Sequence, residues 1–176
     1  VKLNAFGNSV YSATIGKVFS TLPYPLLEVH KGNETIFSNP GNFFLMNFFE
    51  FVSDEYITLI YEHHFEGLFL NRIPLMRCLK FRELASFNLA YGNIKNVNNQ
   101  PIKSNGEPDV AFSTLKTKPY LEAGFGIENI LNFIRVDVVY RLSYINKEYL
   151  IQHPTVNKIG VKFYFLANPV EIKAGS

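Results

Sequence analysis

Tryptophan is missing from this chain, cysteine occurs once, and no apolar run is long enough to cross a bilayer as a helix. Each absence removes a class. Cys78 has no partner for an internal disulfide and matches no metal spacing. The most apolar stretch, 43–52, is broken by Asn47 and Glu50 and falls short of the roughly 20 residues a spanning helix needs. Only 18% of residues are charged, the net charge is +2, and no basic cluster occurs, so a nucleic-acid partner has no electrostatic support. No cationic start with an apolar core precedes Val1; the expectation is an internal piece of a longer protein, with a mature product as the alternative. Catalytic signatures are missing as well. No serine sits in a G-x-S-x-G elbow, Cys78 has no readable histidine pairing, and nothing sets the separation of Glu62 and Glu122 as an acid/base pair. Gly124 and Gly126 lack the helix and G-x-x-G continuation of a phosphate loop. No enzymatic activity and no cofactor are expected.

What the chain has is alternation. It is 47% hydrophobic and 15% aromatic, with 17 Phe and 10 Tyr, and its mean hydropathy is only +0.03. Several stretches alternate apolar and polar residues for about ten positions each, which as strands gives one greasy and one wet face. From Tyr56 to Glu66 one face carries Ile57, Leu59, Tyr61, His63 and Phe65, the other Tyr56, Thr58, Ile60, Glu62, His64 and Glu66. From Ile134 to Tyr144 the apolar face is Ile134, Val136, Val138, Tyr140, Leu142 and Tyr144, opposite Arg135, Asp137, Arg141 and Ser143. Soluble strands average roughly 5–6 residues, whereas a tilted strand crossing a bilayer needs roughly 9–11. The pattern predicts an all-β fold: an antiparallel meander of about seven long strands forming part of an outer-membrane β-barrel, apolar outside and polar within.

The predicted strands are Asn8 to Val18, Phe43 to Phe51, Tyr56 to Glu66, Leu79 to Tyr91, Tyr120 to Ile127, Ile134 to Tyr144 and Lys158 to Phe165. Glu28 to Asn42 reads as a loop with at most a short strand, and 67–78 as a connection with one helical turn. The polar loop 92–118 is long and the connection near Asn129 tight, matching long extracellular loops and short periplasmic turns. Barrels of this kind close with an even number of strands, so further strands are expected upstream. Residues 1–165 are assigned to a partial barrel, and Leu166 to Ser176 to a tail without strand pattern.

On this scheme Glu62, His64, Glu66, Lys80, Arg82, Glu122, Arg135, Asp137 and Arg141 line the lumen, while Ile57, Leu59, Phe81, Phe87, Phe125, Val136, Val138 and Phe163 face lipid. Glu62, His64 and Glu66 share a face at a spacing that could ligate a metal, but a polar lumen lining accounts for them more simply. Counting across the connection places Glu66 opposite Lys80 and His64 opposite Arg82, with Glu122 in diagonal reach of Arg141 or Asp137. Arg141→Leu, on such a wall, is expected to be well tolerated. Glu83 interrupts the apolar row of its strand.

Pro23-Tyr-Pro-Leu-Leu-Glu-Val-His-Lys-Gly-Asn33, Asn47-Phe-Phe-Glu-Phe-Val-Ser-Asp-Glu-Tyr56, Glu62-His-His-Phe-Glu-Gly67 and Asn71-Arg-Ile-Pro-Leu75 resemble motifs of large Bacteroidota outer-membrane proteins of unknown function. So do Pro119-Tyr-Leu-Glu122, Gly126-Ile-Glu-Asn129 and Arg135-Val-Asp137, in the same order. Those proteins carry an N-terminal carboxypeptidase-regulatory-like β-sandwich domain and a C-terminal barrel-like region. The resemblance implies a C-terminal barrel segment in the cell outer membrane, partnered by outer-membrane lipid and by the remaining strands and periplasmic domain of its parent. It implies no peptidase activity. The functional expectation is a structural or transport-type barrel segment; the alternatives are a surface-antigen-like insertion or translocation barrel and a soluble lipocalin-like binding barrel, whose polarity is reversed.

Overall fold

The alternating rows assemble into one antiparallel sheet. The computed structural model describes residues 1, 3, 6–22, 26–38, 41–95, 113–115 and 118–165. Its strands are β1 (Asn8–Lys17), β2 (Glu28–Val29), β3 (Val52–Ser53), β4 (Glu55–His64), β5 (Arg82–Asn93), β6 (Tyr120–Ile130), β7 (Ile134–Arg141) and β8 (Ile159–Phe165), with short helices α1 (Pro74–Leu79) and α2 (Lys147–Gln152). The main sheet is a six-stranded meander in the order β1-β4-β5-β6-β7-β8; β2 and β3 pair separately. Most of the expected loop 92–118, parts of the stub 1–6 and of the 23–33 motif, and the tail 166–176 lie outside the described residues.

Period-two alternation gathers the charged side chains of the sheet on one face, among apolar ones such as Leu84, Ala90 and Val139. In register across the sheet, Ile60 faces Asn88, Asn88 faces Glu122, Glu122 faces Arg141, and Asp137 faces Lys162. The opposite face carries Tyr11, Ile15, Tyr91, Phe125, Tyr140 and Val161, all exposed. Such rows are hydrophobic by sequence and uncovered in the fold.

The polar face, by contrast, is covered over β5 to β8, while Val10, Ser12 and Thr14 of β1 stay exposed on it. Residues 27–38 and 41–51 fold over it, and Phe43, Met46 and Phe51 pack with Ala90, Leu115, Tyr120 and Tyr144. Phe44 and Leu45 pack on Val139 and Tyr164. The strand expected over 43–51 is therefore not formed. Its backbone N–H groups at Phe44, Leu45, Asn47 and Phe48 donate to the carboxylates of Glu122, Glu50 and Glu34 instead of to a neighbouring strand. Phe49 turns through a positive φ of 56°, which a continuous strand does not allow.

Other departures are local. β5 begins at Arg82, because residues 74–79 form α1 and Lys80 closes it in a left-handed conformation with φ 54°. β7 stops at Arg141, and Tyr144, expected on the outer row, turns inward against Phe51 at 4.8 Å between ring centroids. Glu83 lies buried beneath the connection after β4, where its carboxylate accepts the Phe69 N–H at 2.5 Å.

Among the described residues β1 and β8 do not pair, so the sheet is not closed. The β8 edge is partly capped: the Phe163 N–H donates to Ile36 O and the Ser38 N–H to Phe163 O.

Within the cover, Gly32 crosses 46–47 so closely that an added Cβ would lie 2.4 Å from both the Met46 and Asn47 carbonyl oxygens. Backbone cannot yield as a flexible side chain would. Gly32→Ala is expected to destabilise the chain by ~1–3 kcal/mol, seen as a lowered denaturant midpoint.

Candidate functional site

The candidate site is the contact between the polar face of the sheet and its cover, and it is built from buried charges. Glu122, on β6, is fully buried. Its Oε1 accepts the Phe44 N–H at 2.6 Å and Asn88 Nδ2 at 2.9 Å; its Oε2 accepts the Leu45 N–H at 3.0 Å and the Tyr120 hydroxyl at 2.9 Å. One carboxylate thus holds two consecutive backbone groups of the cover, and four donors offset part of the cost of its desolvation.

Its register neighbour Arg141 reaches the cover by a second route. The guanidinium donates to both oxygens of Glu50, at 2.5 and 3.1 Å, and to Leu45 O at 3.3 Å. The side chains of Arg141 and Glu50 are 0% and 2% exposed. The Tyr149 hydroxyl from α2 donates to Glu50 at 2.7 Å, and the Tyr120 ring lies 4.8 Å below the guanidinium. Burial and the neighbouring Glu50 carboxylate push the Tyr149 hydroxyl well above the ordinary tyrosine range.

A second network lies toward the α1 end of the sheet. Arg135 forks between Asp137, at 2.6 to 3.0 Å, and Glu62, at 2.7 and 3.2 Å, with the Tyr164 ring 4.3 Å from its guanidinium carbon. His64 Nδ1 lies 3.0 Å from Glu128, and its Nε2 lies 3.6 Å from Glu62. Gly126 leaves the room: a Cβ there would lie 2.0 Å from Asp137 Oδ1. Lys162 crosses to the cover and donates to Thr35 O at 2.6 Å.

Glu62, His64, Glu122, Arg135, Asp137 and Arg141 therefore share the inner face. Glu66 and Lys80 do not join them, being exposed in the connection; Arg82, the first residue of β5, keeps the parity of that face opposite Glu128 but is exposed at its end. The register is also two residues off the expected one, since His64 faces Leu84 rather than Arg82. The ladder ends where the Phe65 N–H donates to Glu83 O, and the chain turns away at Glu66, φ 53°. Arg141 does not belong to a solvated wall, so its replacement by leucine is no longer expected to be tolerated. Of the residues assigned to the apolar face, Ile57, Phe125 and Val138 are exposed; Leu59, Phe87, Val136 and Phe163 are half-exposed, and Phe81 is half-exposed in the turn before β5. Sequence reasoning missed Glu50 and Glu128 as partners. Glu50 had left a signal, as a charge inside the most apolar run. Among the described residues no group of three or more His, Cys, Asp or Glu side chains is placed to hold a metal ion.

A cavity of about 270 Å³ opens between cover and sheet, beside Ser12, Thr14, Glu28, His30, Lys31 and Thr58. His30 is 2% exposed, 3.0 Å from Ser53 Oγ, and burial pulls its pKa down to about 4.

Residues 1–98 match the model of a family of unknown function, the DUF5686 C-terminal domain. The chain belongs to this family. No curated protein and no solved structure matches it. The DUF5686 match runs from β1 past β5, so the cover and Glu50 fall within it, and Glu122, Arg135 and Arg141 follow it.

Two outcomes are expected. Arg141→Leu strands the buried Glu50 carboxylate and should cost about 3–5 kcal/mol, and combining it with Glu50→Leu should recover much of that; a double-mutant cycle by chemical denaturation measures both. Because the folded-state pKa of His30 is depressed, its stabilisation is complete above about pH 6.5 and is lost as pH falls toward about 4. The loss should reach about 2–3 kcal/mol and be absent in His30→Gln, read from unfolding curves across that window.

Proposed function

We propose that this chain is a wall segment of an outer-membrane β-barrel in a larger cell-envelope protein, with residues 27–38 and 41–51 folded onto the lumen face as a plug and with no catalytic activity. The observation that carries this reading is the polarity of the sheet. Its covered face holds Glu122, Asp137, Arg135 and Arg141, while Ile57, Phe125, Val138 and Val161 stand exposed on the other. A soluble ligand-binding barrel buries its apolar rows and wets its polar ones. Lipid around the sheet reverses both preferences at once.

Strand length supports the same environment. β1 and β4 have 10 residues, β5 has 12 and β6 has 11, which suits a bilayer crossing of roughly 9–11 tilted residues. A sheet edge in hydrocarbon leaves backbone groups unsatisfied, so the wall needs further strands from the parent chain beside β1 and β8. The resemblance to Bacteroidota envelope proteins with a carboxypeptidase-regulatory-like domain extends the proposal to an upstream periplasmic domain. In the orientation that follows, the turn at 131–133 is periplasmic and the connections after β5 and β7 are extracellular. The charged lock between plug and wall fits a barrel that is closed at rest more than an open pore.

Val138→Arg, mid-strand on the apolar face, should lose ~2–4 kcal/mol of insertion free energy, whereas Thr14→Arg, on the polar face beside the cavity, should be close to neutral. Vesicle insertion of the two variants provides the measurement, and the reverse ranking overturns the reading.

A further inference from the structure

The connection between β4 and β5 has no core of its own. From residue 68 to 81 the sequence is apolar apart from Asn71 and three cations, Arg72, Arg77 and Lys80, and no acid occurs between Glu66 and Glu83. The segment forms a turn of 3-10 helix, Leu70–Arg72, followed by α1, and neither contains a buried residue. Phe69, Ile73, Leu75 and Leu79 are 55%, 49%, 68% and 48% exposed. A six-residue helix has too few hydrogen bonds to persist in water and depends on packing of an apolar face. Among the described residues nothing buries that face.

The segment is nevertheless held in place. The Phe69 N–H is bound by Glu83, the Phe69 ring lies 5.5 Å from that of Phe65, and Asn129 Nδ2 donates to Lys80 O at 2.8 Å. These contacts fasten it to the end of the apolar face, beside the β6–β7 turn, where Leu131 and Phe133 are also exposed, at 71% and 45%. The exposed apolar surface of the segment thus meets the outer face of the wall at Phe65, and Lys80 sits beside Asn129 where that face ends.

We infer that residues 68–81 are an interfacial anchor, seating their apolar side chains among acyl chains and Arg72, Arg77 and Lys80 on the phosphates of glycerophospholipid headgroups in the leaflet at this end of the barrel. The assignment rests on the barrel reading. Apolar and basic residues on one short segment are the composition that lies in a bilayer interface, and anionic headgroups attract each nearby cation. A second copy of the chain is disfavoured as the occupant, because it would bring the same three positive charges to the contact.

Cys78, the chain's single cysteine, is exposed within α1, so an environment-sensitive fluorophore attached to it reports the anchor directly. The labelled full chain is inserted into vesicles of phosphatidylcholine, alone or mixed with phosphatidylglycerol, carrying nitroxide quenchers at headgroup or acyl-chain depth. A label at Val138→Cys, in a Cys78→Ser background, reports insertion of the wall separately. The expected result is acyl-chain quenching at position 138 together with headgroup-depth quenching at Cys78. The latter should be stronger with phosphatidylglycerol and weakened by salt. Arg72→Gln, Arg77→Gln and Lys80→Gln should shift the docked-to-undocked ratio roughly fivefold per charge removed. A wall that inserts while Cys78 stays in water overturns the anchor alone, and a wall that fails to insert overturns the barrel and the anchor with it. Quenching of Cys78 that ignores both lipid charge and salt overturns the assignment to phosphate. Crosslinking of Cys78 to a second copy in place of lipid contact assigns the surface to self-association and overturns the proposal.

Discussion

Two buried carboxylates hold the molecule together: Glu122 on the sheet, which binds the backbone of the cover, and Glu50 on the cover, which binds Arg141 of the sheet. Neither charge is stable out of water alone. Each is acceptable only with its partners in place, so sheet and cover specify one another's positions. The same bonds explain why an apolar stretch rich in phenylalanine folds as turns. Its N–H groups are satisfied by side chains, leaving nothing for a neighbouring strand to bind.

The arrangement is inverted relative to a water-soluble sheet. Apolar burial still contributes, through Phe43, Met46 and Phe51 of the cover against Ala90, Tyr120 and Tyr144 and through Phe44 and Leu45 against Val139 and Tyr164, all on the covered side of the sheet. The strands' own apolar rows contribute nothing to the interior and stand outside. Charge on the covered face then becomes a means of specificity, because ion pairs and carboxylate–backbone bonds fit in one register only, whereas greasy surfaces slide. The proposed membrane and plug readings rest on this one feature. A sheet with a charged inside and an apolar outside needs something polar to fill it and something apolar to surround it.

The strands were largely legible. β1, β4 and β8 run within one or two residues of their expected limits, because a run of alternating Ile, Val, Tyr and Phe has few other ways to satisfy its periodicity. The division into two faces was legible for the same reason. The register between β4 and β5 was not, since it depends on positive-φ turns at Glu66 and Lys80, residue types that do not advertise them. The strand expected at 43–51 failed where hydrophobicity was highest. Side-chain composition there says nothing about the distant carboxylate, 78 positions away from Phe44, that takes its backbone.

By itself the sequence determined which residues share a face, because alternation is a local property of the extended backbone. It also determined that one face would be charged. Only the tertiary structure decided which charge meets which. Glu50 pairs with Arg141 across 91 positions and Glu62 with Arg135 across 73, and a contact at that distance depends on how the chain returns, which no local pattern encodes. The covering of the polar face by residues 27–38 and 41–51 was decided the same way, by carboxylates that become good hydrogen-bond acceptors for a backbone only once both are withdrawn from water.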